Sequence, residues 1–81
     1  MDDWYVYILL CRGNRLYTGI ARDVAERFHL HQEGKGAKYT QRNRPEKIVY
    51  TEKCDSMSSA RRREEQIKKL TKAQKERLRN I

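Results

Sequence analysis

Trp4-Tyr5-Val6-Tyr7-Ile8-Leu9-Leu10-Cys11, followed after Arg12-Gly13-Asn14-Arg15 by Leu16-Tyr17-Thr18-Gly19-Ile20, is the stretch that decides the fold. The first run is continuously apolar and rich in β-formers. It reads as a strand buried on both faces and hence central in its sheet. The second run is also a strand, and the link between them is too short for a crossover. The pair is therefore an antiparallel hairpin.

Outward from the hairpin, Asp23 and Glu26 are spaced like a capping box and open a first helix. Val24 and Phe28, at i and i+4, mark its buried face, and it should stop before Gly34. Gly34 to Pro45 reads as a polar, basic loop, and Lys47-Ile48-Val49-Tyr50-Thr51-Glu52 as a third strand. Ser56 or Ser58 caps a second helix running to about Leu70. Thr71 and Gln74 form another capping box, opening a third helix that carries Leu78. The expected class is α/β, a small, mainly antiparallel three-stranded sheet flanked by helices in the order β-β-α-β-α-α, in one domain over residues 1–81.

The chain has 81 residues, with 19 Lys and Arg against 11 Asp and Glu, a net charge of +8. That excess favours a polyanionic partner, nucleic acid before an anionic membrane surface. Only Cys11 and Cys54 are present, without metal-ligand spacing, which fits a reducing cytoplasm. The acidic start Met1-Asp2-Asp3 lacks a signal peptide's basic region, and Trp4 to Cys11 is too short to span a bilayer. No membrane association is expected.

On the second helix, Ala60, Ile67 and Leu70 define an apolar stripe. Glu64 lies four residues after Ala60 and three before Ile67, on that same stripe. A carboxylate there faces the protein body and needs a cation or donors beside it. Two explanations are open: an ordinary i,i+4 bridge to Lys68, or a metal ligand.

The spacing Tyr5-Val6-Tyr7, then Tyr17-Thr18-Gly19, resembles the paired signature of the GIY-YIG nuclease family, with Tyr5 in place of the first glycine. Arg27 and Glu64 fall where that family carries its phosphate-binding arginine and metal-binding glutamate. Gly36-Ala37-Lys38-Tyr39-Thr40 and the run Ser59 to Leu70 are similar to its small, stand-alone bacterial branch, the UPF0213-like group. The resemblance covers nearly the whole chain. It implies a metal-dependent nuclease, a DNA endonuclease acting on structured or damaged DNA, with Glu64 holding Mg²⁺ or Mn²⁺ only when substrate is bound. It further implies that Arg27 binds the scissile phosphate and that Tyr7 orients or deprotonates the attacking water. Tyr17 supports Tyr7, and Gly19 leaves room for close approach.

A tyrosine ionises near ~10, so service as a base would need a cation such as Arg22 or Arg27 to lower it. Where many members of the family carry lysine after the second motif's glycine, this chain has Ile20, and Arg22 is the candidate to supply the charge. For Tyr7 and Tyr17 to share a sheet face, the register must place them at an even offset. A plain two-residue turn at Gly13-Asn14 would put them on opposite faces, so a three- or five-residue loop, or a bulge, is predicted.

His29 is expected to be exposed. His31, on Arg27's side of the helix, can contact phosphate or donate a proton to the leaving group, although a surface position is its default. Lys35, Lys38, Tyr39, Arg42 and Arg44 interleave cations with an aromatic, as a nucleic-acid-binding loop would. Arg61, Arg62 and Arg63 read as diffuse electrostatic attraction. The partner is nucleic acid, DNA before RNA, and with no separate DNA-binding domain a partner protein is a further source of specificity; a monomer is expected. Two other readings stay open: a non-catalytic nucleic-acid-binding module on the same scaffold, and a basic adaptor.

Overall fold

β1 (Trp4–Cys11) runs down the middle of a three-stranded antiparallel sheet, with β2 (Arg15–Ala21) on one side and β3 (Pro45–Cys54) on the other. A computed structural model describes residues 3–79 of the chain; the Met1-Asp2 portion of the acidic start lies outside them. The helices are α1 (Val24–Gln32), α2 (Lys38–Arg42), α3 (Met57–Lys68) and α4 (Lys72–Arg79). Among the described residues no helix is long and apolar enough to cross a membrane.

The hairpin closes as its parity requires. Cys11 pairs with Arg15, so the loop is the three residues Arg12, Gly13 and Asn14. Gly13 and Asn14 hold left-handed φ angles of 79° and 59°, the conformation that glycine and asparagine adopt most cheaply. Tyr7 then pairs with Gly19 and Leu9 with Tyr17, which puts both tyrosines on one face.

Strand alternation divides the core in two. Val6 and Ile8 face α3, where Ala60 and Ile67 cover them, with Trp4, Leu16, Ile20 and Leu78 packed around the rim. Tyr7, Leu9, Cys11 and Ala21 face the other way, and Tyr17, Val24, Phe28 and Ile48 pack against them. Helices thus cover both faces, as a sheet with two apolar sides demands.

Capping follows the sequence closely. The Asp23 carboxylate accepts from the Glu26 amide at 3.0 Å. Ser56, not Ser58, caps α3, in a reciprocal pair with Ser59, and Thr71 and Gln74 close a capping box on α4 at 2.9 and 3.2 Å. β1 keeps its expected ends, β2 and β3 extend beyond theirs, and α3 stops at Lys68, short of Leu70.

One segment departs from expectation. The polar stretch after Gly34 is not all loop, because Lys38–Arg42 forms a short helix. It has no side-chain cap and no apolar period, so pattern reading could not find it. Thr40, fully buried, holds it inward by donating to the Ala37 carbonyl at 2.8 Å.

Candidate active site

The face of the sheet that carries Tyr7 and Tyr17 opens into a predominantly polar cleft of about 390 Å³. β1 contributes Tyr7, β2 contributes Tyr17 and Gly19, α1 contributes Arg27 and His31, and α3 contributes Glu64. Lys35, Gly36 and Ala37, between α1 and α2, complete the wall. Glu64 reaches it although the rest of the α3 stripe packs on the opposite face, because β2 is the edge strand and α3 lies against it. Ile20, on that edge, also lines the cleft.

At the centre is a chain of hydrogen bonds that sequence reading did not anticipate. The Tyr7 hydroxyl lies 3.0 Å from His31 Nε2, and His31 Nδ1 lies 2.7 Å from Thr40 Oγ1. All three side chains are buried, His31 to 3% exposure, in place of the surface position expected for it. The proton positions follow from the far end of the chain. Thr40 spends its one proton on the Ala37 carbonyl, so it must accept from His31 Nδ1–H. Burial, then the Arg27 charge, lowers the His31 pKa and keeps the ring neutral. Nε2 is therefore the acceptor, and Tyr7 donates to it.

Two glycines make room for this pair. A Cβ on Gly19 would lie 2.5 Å from the Tyr7 hydroxyl oxygen and 2.7 Å from Cζ, well inside contact distance. A Cβ on Gly36 would strike the His31 ring. In the sequence Gly36 is one residue of the run Gly36 to Thr40, whereas Gly19 stands out in the second tyrosine motif. The signal available for the histidine was its i+4 spacing from Arg27 on one helix side.

Burial outweighs the Arg27 charge, which acts to lower the Tyr7 pKa as service as a base would need. Burial raises it well above the ordinary tyrosine value, and Tyr17 and Glu64 raise it further, with Arg27 the opposing influence. Burial likewise raises Tyr17, opposed by Lys68 and Arg27. Arg22 is not in this wall: its guanidinium sits 5.9 Å from the centre of the Trp4 ring, lining a neighbouring cleft.

Of the two explanations for Glu64, the i,i+4 bridge is the one present. Its carboxylate pairs with Lys68 at 3.4 Å and also lines the cleft, with its side chain 20% exposed. Among the described residues no three His, Cys, Asp or Glu gather as a metal cage. A lone, partly shielded carboxylate still suits Mg²⁺, which commonly takes one or two protein carboxylates and completes its shell with water and substrate phosphate. Arg27 is exposed at the rim. Lys35, Lys38, Tyr39, Arg42 and Arg44 are all exposed, and Tyr39 stacks on Tyr17 with ring centres 5.8 Å apart. Lys35 also lies 3.8 Å from Glu33. Arg63, expected to be diffuse charge, instead binds Glu52 of β3 at 2.9 Å, beside a Tyr50 hydroxyl that donates to the same carboxylate at 2.6 Å. That pair ties α3 to the sheet one residue before Glu64.

Residues 3–77 match the family model of the GIY-YIG catalytic domain. A UPF0213 protein of Cronobacter sakazakii is 49% identical over 96% of this chain and 82% of its own. A UPF0213 protein of Natronomonas pharaonis is also 49% identical, over 94% and 89%. Among solved structures, the solution NMR structure of a UPF0213 protein from Bacillus halodurans superposes with a TM-score of 0.58 at 42% identity, covering 94% of this chain and 81% of that one. With its hairpin tyrosines, helical arginine and inward glutamate meeting in one cleft, this chain belongs to the GIY-YIG catalytic-domain family.

Proposed function

We propose that the protein is a metal-dependent endonuclease that hydrolyses phosphodiesters of structured or damaged DNA. The observation that carries this reading is the meeting of Tyr7, Tyr17, Arg27, His31 and Glu64, from four elements, in a single open cleft. The net charge of +8 draws a polyanion towards it.

Arg27, exposed at the cleft, binds the scissile phosphate and stabilises the charge that develops on it. Tyr7 orients the attacking water through its hydroxyl oxygen. As the new oxygen–phosphorus bond forms, Tyr7 takes the water's proton and passes its own to His31 Nε2. The relay never requires a free tyrosinate, which the raised Tyr7 pKa would forbid. The imidazolium is oriented by Thr40 and later returns the proton to the leaving oxygen or to solvent. Tyr17 packs beside His31, ring centres 5.2 Å apart, and limits its movement. Glu64 would hold Mg²⁺ or Mn²⁺, which when bound polarises the phosphate and neutralises the leaving oxygen. Lys68, paired with Glu64 in the free protein, is released when that carboxylate takes up another partner.

Incubation with branched, nicked and single-stranded DNA in Mg²⁺ or Mn²⁺ tests this. Cleavage abolished by Glu64→Gln and slowed about 10²–10³-fold by Arg27→Ala, with melting unchanged, is the expected result. Salt-sensitive binding without cleavage on any substrate would instead establish a binding module, a reading that Ile20 in the cleft favours.

A further inference from the structure

A second cleft, of about 190 Å³, opens on the hairpin side of Tyr39. Asn14, Arg15 and Leu16 line it from the hairpin, Tyr39 from α2, and Lys72 and Lys75 from α4. Every charged group in its wall is a cation. Among the described residues, none of the three lies in an ion pair. Three like charges gathered without a carboxylate repel one another, so the surface gains most from an anionic occupant.

Two features set this cleft apart from scattered surface lysines. The Asn43 side chain accepts from Arg15 Nη1 at 2.7 Å and donates to the Tyr39 carbonyl at 3.1 Å. One neutral residue thus positions the guanidinium and the aromatic residue together and leaves the positive charge intact. In addition, the Tyr39 ring stacks on Tyr17, which lines the catalytic cleft, while Tyr39 itself remains 39% exposed. Tyr39 lines the second cleft and its stacking partner Tyr17 lines the first, so the two rings link the clefts.

We infer that a single strand of nucleic acid passes from the catalytic cleft, over Tyr39, into this second cleft. The phosphate at Arg27 is followed by an unpaired base stacked on Tyr39, and the next phosphates lie against Arg15, Lys72 and Lys75. An intact duplex hides its base faces in the stack and cannot use Tyr39 in this way, so the preferred substrate has unpaired nucleotides beside the cleaved bond. This route presupposes the nucleic-acid reading above but not turnover, and binding without divalent metal tests it separately.

The probes are a labelled oligothymidylate of about ten nucleotides and a blunt duplex of equal length, with binding followed by anisotropy across a salt series. The triple variant Arg15→Gln/Lys72→Gln/Lys75→Gln should flatten the slope of log affinity against log salt by about 2 on the single strand. Tyr39→Ala should weaken single-strand binding about tenfold and erase the preference over duplex. Lys47→Gln/Lys53→Gln, on β3 across the sheet from β2, should leave the slope unaltered. Melting curves confirm that each variant is folded. An unchanged slope in the triple variant, alongside weakened binding in Arg27→Ala, would overturn the route and leave the nucleic-acid reading standing. Equal affinity for duplex and single strand would overturn it too. No binding to either probe at low salt would overturn both.

Discussion

The two faces of β1 do opposite work with alternate residues. Val6 and Ile8 are wholly buried against Ala60 and Ile67, and that side is a largely apolar core with Thr18 as its buried polar residue. Tyr7, one residue away, is equally buried, yet its hydroxyl bonds to a histidine that bonds in turn to a threonine. A domain this small has little apolar area to spare, so placing a polar network in its interior is costly unless each group is satisfied. The α3 face supplies cohesion, and the α1 face spends some of it on a preorganised site. Each variant below loads one face and spares the other.

The largest expected effect lies on the apolar side. Ile8→Ala should lower unfolding free energy by about 2–5 kcal/mol, a large fraction of what such a domain possesses. Activity per folded molecule should hardly change; chemical denaturation and active-site titration together check this. Arg27→Ala should do the reverse. As an exposed side chain it should cost less than about 0.5 kcal/mol of stability while slowing cleavage about 10²–10³-fold. A slow Arg27 variant that was also unstable would erase the contrast between the faces.

Gly36→Ala comes next, because it loads the site face sterically. The added methyl meets the His31 ring, so a loss of about 1–3 kcal/mol is expected, with turnover reduced as the ring is displaced from Tyr7. A variant with the stability and rate of the parent would remove the need for the close fit. Ser56→Ala, at the start of α3, should cost about 1 kcal/mol through its lost cap and leave the chemistry intact.

The smallest effect is a pH dependence that belongs to the site face alone. The His31 pKa in the folded protein lies below its unfolded value near ~6.5. Its contribution to stability is therefore complete above that value and is lost as pH falls through the lower, folded one. Cleavage should show an acid limb in the same window, because protonated Nε2 can no longer accept from Tyr7. A limb above the ordinary histidine range would contradict the lowered His31 pKa. His31→Gln should abolish the limb altogether.

Much of the scaffold was readable from neighbouring residues. The apolar run Trp4 to Cys11 announced a central strand, the parity of Tyr7 and Tyr17 required an odd loop, and Asp23, Ser56 and Thr71 marked helix starts. These are local properties, set by alternation, turn chemistry and orphan amides within a few residues of chain. The inward place of Glu64 came from helical spacing in the same way.

What stayed hidden depended on partners far away in sequence. His31 defaulted to the surface because its neighbours could not say that Tyr7, 24 residues earlier, and Thr40, nine later, would satisfy both ring nitrogens. Thr40 itself sits in α2, a helix where propensity showed only a loop, and Arg22 turned to Trp4 instead of the cleft. Alternation and capping are written in adjacent residues, so the sequence alone determined the strands and the helix starts. Burial of a polar ring is favourable only when distant donors and acceptors arrive together, and the tertiary structure alone decided that.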